Sequence, residues 1–251
     1  MNSPLMLSDS QWDEVKPYFE TKTRKRKQSL QITLSAVVYL LRTGCQWRML
    51  PEEVYGKWNL VYYYYRKWMT YAVLEDLLYR LVGKIRKKQG RIKEPTAAVI
   101  DTQSIKTPAG VSEQTGYDGG KKLKGRKRSI ATDTQGNIIA AGVSAAGIHD
   151  SKAVCSLKEQ VEDYDTITTI FADGAFKGDA PFNRKGKIKW KIVNKKAGPF
   201  QVLPKRWVVE RSIAWLANFS RLSKDYEKTV DCSKAMIMMA AITITLNKLF
   251  I

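Results

Sequence analysis

The spacing of apolar residues changes near residue 95 of this chain. In the first 90 residues, apolar positions recur every three or four residues, which is the period of an amphipathic helix. A helix is predicted to begin at Ser8, because Ser8 and Gln11 have the spacing of a capping box and apolar residues follow at helical spacing. Further helices are predicted at residues 29–43, 57–68 and 72–88.

Beyond a polar linker at residues 89–95, short runs of apolar and β-branched residues favour β strands. Strands are predicted at residues 97–100, 128–133, 138–144, 167–171 and 188–193. Helices are predicted at residues 150–161, 205–219 and 233–248, the first with Asp150 as its N-cap. The predicted fold class is therefore mixed α/β, with a helical domain over residues 1–90. A second domain follows over residues 96–251, in which helices flank a five-stranded mixed sheet.

The charge of the chain is strongly positive. Forty-three Lys and Arg residues face 24 Asp and Glu residues, which gives a formal net charge of +19. A field of this sign favours polyanions such as nucleic acid or an anionic membrane surface. Short helices with a basic run at residues 22–27 also suit a helix-turn-helix unit whose third helix enters a DNA groove. The alternative for this region is a plain helical bundle whose tyrosines fill its core.

Cysteine use and hydropathy indicate a soluble protein of the cytoplasm. The three cysteines are far apart and form no Cys-x-x-Cys pair, which fits a reducing compartment. The start of the chain is acidic where a signal peptide would be basic and then apolar. The longest apolar run, residues 235–246, is shorter than the roughly 20 residues that span a bilayer. No membrane partner is expected.

Two aspartates close apolar runs of the strand-rich region. Asp101 follows Thr-Ala-Ala-Val-Ile, and Asp173 follows Thr-Ile-Thr-Thr-Ile-Phe-Ala. Neighbouring parallel strands would bring both carboxylates to one edge of the sheet. Glu210 is the third candidate, on a helix where Arg206 shares its face four positions earlier. The alternatives are ordinary ones, since a strand-end Asp is a common turn residue and a helical Glu beside an Arg is usually a surface ion pair.

Three carboxylates at one place would repel one another unless divalent cations neutralised them, and oxygen ligands suit Mg²⁺ or Mn²⁺. Two such ions held about 4 Å apart can activate an attacking oxygen and stabilise the leaving oxygen at a phosphodiester. This chemistry agrees with the affinity for polyanions that the net charge predicts. The predicted catalytic residues and metal ligands are Asp101, Asp173 and Glu210.

Nine segments spread over nearly the whole chain match motifs of one family. They are LSDSQWDEVKPY, TGCQWRMLP, VIDTQSIKT, GYDGGKKLKGRKR, ATDTQGNI, HDSKAV, FADGAFKG, RWVVERSIAWL and RLSKDYE. With these segments the chain resembles the DDE transposases of bacterial insertion sequences, in the IS-five-like branch. The resemblance implies an RNase H-like catalytic core in which Asp101, Asp173 and Glu210 bind two Mg²⁺ ions, with Mn²⁺ as a substitute.

The same resemblance implies an activity and its partners. Water would cut the transposon end, and the 3′-OH that is released would attack target DNA. The implied partners are double-stranded DNA, as terminal inverted repeats and target, and a second copy of the chain when two ends are brought together. Two alternatives use the same residues: a metal-dependent nuclease without strand transfer, and a domesticated DNA-binding regulator with an inactive site. The intact set of three acids favours the enzyme.

Part of the family signature around the glutamate is absent from this chain. Related members have a Tyr seven residues before the Glu and a Lys seven residues after it, where this chain has Leu203 and Ala217. The DNA contacts of those two positions would have to come from other basic residues. The candidates are Arg211, Arg221 and Lys224. Arg206, four residues before the Glu, fits the signature and is also predicted to contact DNA.

A second basic group is the run Lys-Lys-Leu-Lys-Gly-Arg-Lys-Arg at residues 121–128. Its six positive charges repel one another unless an anion binds, so phosphate contacts are expected here. The alternative is a basic loop that water solvates. The predicted DNA contacts are Lys121, Lys122, Lys124, Arg126, Lys127 and Arg128.

Overall fold

A computed structural model describes residues 6–20, 26, 28–70, 72–111, 113–176, 186–193 and 205–250. The predicted basic run at residues 22–27 lies outside this set, apart from Arg26. Leu203 lies outside it as well.

The first part of the chain is helical, as the sequence predicts. Ser8 caps the first helix through the predicted capping box with Gln11, and Gly44, with φ 72°, ends the second. A short helix, α3, was not predicted. The helices are α1 (Asp9–Phe19), α2 (Leu30–Thr43), α3 (Glu52–Tyr55), α4 (Trp58–Thr70) and α5 (Val73–Lys88).

The tyrosines of α4 divide between the core and the surface. Tyr65 is buried and donates its hydroxyl to the backbone oxygen of Cys232 at 2.6 Å. Tyr63 is 58% exposed. The predicted core-filling role therefore holds for Tyr65, while the entry of α4 into a DNA groove stays a prediction.

A mixed sheet follows the helices. Strand β1 pairs parallel with β5 and antiparallel with β3, β5 pairs parallel with β6, and both β2 and β4 pair antiparallel with β3. This arrangement has the connectivity of an RNase H-like core, so the predicted fold class is confirmed, with β2 as an additional short strand. The strands are β1 (Ala97–Lys106), β2 (Gly116–Asp118), β3 (Leu123–Asp133), β4 (Ile138–Ala145), β5 (Thr169–Ala172) and β6 (Lys189–Ile192).

Two strands are longer than predicted. β1 continues through Asp101 to Lys106, because its second half pairs with the start of β3 in a register that reaches Lys106 opposite Gly125. β3 accordingly begins at Leu123 rather than at residue 128. Asp101 therefore lies within its strand, and the prediction that it ends the strand was wrong.

The predicted helix at residues 150–161 is broken. It forms α6 (Asp150–Ala153), a 3₁₀ turn at Val154–Leu157 and α7 (Lys158–Glu162). Its N-cap is His149, whose ring nitrogen accepts from the backbone N–H of Ser151, and not Asp150 as predicted. Asp150 instead forms an ion pair with Lys127 at 2.6 Å.

The last two helices pack on either side of the sheet region. Helix α8 (Arg206–Ala217) packs against β1 and β3, and α9 (Val230–Leu249) packs against α5 and β4. At 20 residues, α9 is longer than predicted, and among the described residues it is the one helix with the length and composition to cross a membrane. Most of it is buried in the interior of the protein, as in the core helix of a globular protein.

The hydrophobic core runs without interruption from the N-terminal helices into the sheet region. It includes Leu81 of α5, Met239 of α9 and Ala140 of β4. The predicted division between residues 90 and 96 stays a prediction, but both sides of it contribute to one core.

Candidate active site

Strand pairing brings Asp101 close to Asp173. Val99 of β1 lies opposite Phe171 of β5 in the parallel register. Asp101 follows Val99 by two positions within β1, and Asp173 follows Phe171 by two positions, directly after the end of β5, so their charges interact. The predicted adjacency of β1 and β5 is thus the feature that assembles the first two carboxylates.

Asp101 is a largely buried carboxyl with a raised pKa. Its carboxylate accepts a hydrogen bond from the backbone N–H of Thr102 at 2.8 Å. Burial raises the pKa of Asp101 to about 6, and the charges of Asp173 and Glu210 add to that increase, while the Thr102 amide and Arg206 oppose it. The carboxyl therefore exchanges its proton near neutral pH.

Helix α8 carries the third acid and the cation that links it to the others. Arg206 Nη2 lies 3.2 Å from Glu210 Oε1 and 3.7 Å from Asp173 Oδ2. Arg206 Nε is buried and has no hydrogen-bond acceptor. Arg206 thus offsets part of the charge of two carboxylates at once, and its ion pair with the half-exposed Glu210 extends to a second acid, Asp173.

The donor atoms fit a divalent metal by chemistry. All three side chains offer carboxylate oxygens, which Mg²⁺ and Mn²⁺ prefer. In this arrangement, however, the described residues include no cluster of three or more His, Cys, Asp or Glu side chains that could hold a metal ion. Glu210, which is 53% exposed, is held by Arg206. Metal binding would therefore require Glu210 to exchange Arg206 for the ion.

The basic run at residues 121–128 divides into two halves with different environments. Lys121, Lys122 and Lys124 are exposed and able to meet phosphate groups. Arg126, Lys127 and Arg128 are buried in the interior strand β3, with 0%, 5% and 2% of their surface accessible. For those three residues, the prediction of DNA contacts was wrong.

The buried half of the run binds backbone oxygens and acids of the protein itself. Arg126 donates to the backbone oxygens of Glu113, Glu227 and Lys228 and pairs with Asp225 at 3.3 Å. Lys127 donates to the backbone oxygen of Ile148 and to Asp150. Arg128 donates to the backbone oxygen of Leu222, and burial lowers its pKa to about 10.

One of the basic residues proposed near Glu210 is also structural. Arg221 is buried, where it pairs with Glu227 at 2.8 Å and donates to the backbone oxygen of Cys45. Its prediction as a DNA contact was wrong, because its guanidinium joins the turn after α2 to the segment after α8. Lys224 is exposed, and its DNA contact stays a prediction.

Arg211 lies between two tryptophans of its own helix. Its guanidinium carbon is 4.5 Å from the ring centre of Trp207 and 4.7 Å from that of Trp215. It also donates to the backbone oxygen of Gln135 at 2.9 Å, which ties α8 to the turn between β3 and β4. Its observed partners are therefore within the protein, and a DNA contact through its remaining exposed surface stays a prediction.

Sequence reasoning missed the network that these basic residues form with the RLSKDYE segment. Asp225 and Glu227 are buried and bind Arg126 and Arg221, respectively. The segment was noticed in the sequence only as a family motif, and not as a set of ion pairs. Its partners in β3, about 100 positions away, gave no local indication.

The sheet and its flanking helices define an RNase H-like fold, with Asp101 in β1, Asp173 directly after β5 and Glu210 on α8. The model for the transposase DDE domain matches residues 92–246, which is more than half of the chain. The chain therefore belongs to the DDE transposase family, and the predicted resemblance is confirmed. A second model, for proteins assigned to the transposases of the IS4/5 family (DUF4096), matches residues 7–78. Members of such families act on DNA in transposition and generally depend on divalent metal ions.

A curated relative gives little further detail. The chain is similar to the uncharacterized protein y4sN of Sinorhizobium fredii, with 28% identity over 75 residues. The matched segment is 29% of this chain and 59% of the length of that protein. No solved structure matches the chain.

Proposed function

We propose that this chain is a DNA transposase that cuts transposon ends and joins the released 3′-OH to target DNA. The observation that carries the proposal is that Arg206 pairs with both Asp173 and Glu210 while the charges of these two acids act on Asp101. Family membership supports the same chemistry.

The three acids are proposed as the ligands of two Mg²⁺ ions, with Mn²⁺ as a substitute. When bound, such ions activate the attacking oxygen and stabilise the leaving oxygen at a phosphodiester. Asp101 would give up its proton on binding the ion, because a nearby cation favours the ionised carboxylate. Arg206 would keep Asp173 oriented and offset part of its negative charge after Glu210 has exchanged Arg206 for the ion.

The proposed partners are the terminal inverted repeats and the target duplex. Lys121, Lys122, Lys124 and Lys224 are exposed and are proposed to hold phosphate groups. Two copies of the chain are proposed to act together when two ends are synapsed, in the cytoplasm and on the nucleoid.

The test is cleavage of a labelled duplex that carries the terminal repeat flanking the coding sequence of this chain. Asp101→Asn, Asp173→Asn and Glu210→Gln should each abolish cleavage in Mg²⁺ while binding of the duplex persists. Glu159→Gln is the control, because it removes an exposed carboxylate of α7 away from the three acids. Cleavage that survives in one of the three variants would remove that residue from the site.

The same assay separates the alternatives. Adding a supercoiled plasmid tests for joining of the labelled strand. Cleavage without joining would identify a nuclease, and binding without cleavage in either Mg²⁺ or Mn²⁺ would identify a DNA-binding regulator.

A further inference from the structure

Two lysines outside the predicted set lie beside the three acids. Lys191 of β6 is opposite Phe171 of β5, and Phe171 is opposite Val99 of β1. Facing residues of neighbouring strands share a face, so Phe171 and Lys191 lie on the face that carries Asp101 and Asp173. They are one row earlier, about 7 Å along the strands from the two aspartates.

The second lysine reaches the same ring from α8. Lys205 Nζ lies 4.7 Å from the ring centre of Phe171, and Lys191 Nζ lies 5.8 Å from it. Both lysines are exposed. The negative face of an aromatic ring attracts ammonium groups at these distances, so both side chains are held beside the same ring.

The converging charges lack an anion. Among the residues that the structure describes, neither Lys191 nor Lys205 forms an ion pair with a carboxylate, although the acids of the site are close in the fold. Two ammonium groups that share one ring repel each other, and the ring offsets only part of that repulsion. An anion between them would complete the arrangement.

The backbone of Lys205 adds a separate indication. Lys205 has φ 68°, in the left-handed region that favours glycine, and it immediately precedes Arg206. A glycine would adopt this conformation with less strain. Non-glycine residues held in this region often occur at functional sites, where the side chain itself is used.

We propose that Lys191 and Lys205 bind a DNA phosphate next to the one that reacts at Asp101, Asp173 and Glu210. This inference rests on the proposed function, because the acids define which phosphate reacts. The separation of one strand row is comparable with the separation of neighbouring phosphates on one DNA strand. The lysines therefore position the strand and attract it to a site whose own acids repel it.

The experiment measures binding apart from cleavage. Fluorescence anisotropy follows a labelled terminal-repeat duplex in Ca²⁺ over a range of KCl concentrations. Each phosphate contact contributes about 0.9 to the slope of log affinity against log salt. The double variant Lys191→Gln/Lys205→Gln should make the slope less negative by about 1, because the two lysines share one phosphate. Lys158→Gln, which removes an exposed charge of α7 near the opposite sheet edge, should leave the slope unchanged.

A glycine variant distinguishes the effect of the Lys205 charge from the effect of its backbone conformation. Lys205→Gly should reduce the slope by about 1 while the melting temperature stays equal or rises, because glycine relieves the strain at φ 68°. In Mg²⁺ with saturating DNA, the double variant should cut between about 10- and 100-fold more slowly, as expected for a misplaced substrate.

The outcomes distinguish this inference from the proposed function. The lysine site would be overturned if the double variant had the same slope as the unsubstituted chain. It would also be overturned if Lys158→Gln changed the slope as much as the double variant does. A changed slope in a chain that never cuts DNA would support the phosphate site and reject the transposase proposal. Loss of cleavage in Asp101→Asn together with an unchanged slope in the lysine variants would support the transposase proposal and reject the phosphate site.

Discussion

At the scale of single residues, the raised pKa of Asp101 opposes stability at neutral pH. The folded chain holds the proton of Asp101 up to about pH 6, whereas the unfolded chain releases it near 3.8. Between those values the folded state binds more protons, so the free energy of unfolding falls as pH rises. A shift of this size corresponds to about 3 kcal/mol at pH 7.

Asp101→Asn should therefore stabilise the metal-free chain at pH 7 by up to about 3 kcal/mol, because it removes a half-buried charge and keeps an acceptor for Thr102. The gain should be small at pH 4 and should vanish well below pH 3.8, where both states are protonated. Urea unfolding in EDTA at a series of pH values measures it. A gain that is the same at pH 4 and pH 7 would show that the proton is not its cause.

The three acids could be proposed from the sequence because their signals are local. Asp101 and Asp173 each follow an apolar run, and Glu210 shares a helical face with Arg206, so type and spacing were enough to propose them. The perturbed pKa of Asp101 was not predictable, since it depends on burial under α8 and on neighbours that only the fold supplies. For the same reason, the convergence of Lys191 and Lys205 on Phe171 left no signal in the sequence.

At the scale of elements, β3 shows why a basic run is ambiguous from sequence alone. The turn before it and its first residues are at the surface, and the following residues enter the interior between β1 and β4. Charge density was visible in the sequence. The partners that permit burial, Asp225 and the backbone oxygens of residues 227–229, come about 100 positions later.

Arg126→Met should therefore change the stability of the fold, whereas Lys124→Met should change the binding of DNA. Arg126→Met should lower the free energy of unfolding by about 3–5 kcal/mol, because it leaves Asp225 buried without its partner. Lys124→Met should change that energy by less than about 0.5 kcal/mol and should make the salt slope of DNA binding less negative by about 1. Urea unfolding and anisotropy measure the two quantities. If both variants unfold at the same denaturant concentration, the division of the run is wrong.

A turn between strands positions α8. The backbone oxygens of Gln135 and Gly136 accept from Arg211 and from the Ser212 hydroxyl at 2.9 and 2.8 Å. Gly136 has φ 84°, and a β-carbon there would lie 2.9 Å from Arg211 Nη2 and 3.0 Å from Ser212 Oγ. The close approach of turn and helix thus depends on glycine.

Gly136→Ala should lower the free energy of unfolding by about 1–3 kcal/mol, because it adds both backbone strain and a close contact. It should also reduce cleavage, since α8 carries Arg206 and Glu210. Gly119→Ala is the matched control, because a β-carbon at Gly119 meets nothing within 4 Å. Thermal melting and the cleavage assay should separate the two variants, and equal melting temperatures would contradict the argument.

At the scale of the whole molecule, the two predicted domains share their core. Helix α9 packs against α5 on one side and β4 on the other, and Tyr65 of α4 donates to the backbone oxygen of Cys232 in α9. The change in apolar spacing near residue 95 marked a change of secondary structure. The spacing carried no information on whether the two domains fold separately. That depends on how much apolar surface of each domain is buried by the other.

Residues 96–251 expressed alone should therefore not melt cooperatively, because the face of α9 that packs on α5 would be exposed to water. Circular dichroism during heating, compared with the full chain, measures this. A cooperative transition in the fragment at a melting temperature close to that of the full chain would show that the second domain folds independently.

The place of α9 in the chain also bears on synthesis. Every described element that α9 covers is translated before it, so neither the N-terminal helices nor the sheet can finish their core while the ribosome is still making residues 230–249. A message interrupted before that point would yield chains without a completed interior. Such chains would expose apolar surface that the complete chain buries, which makes them targets for proteases.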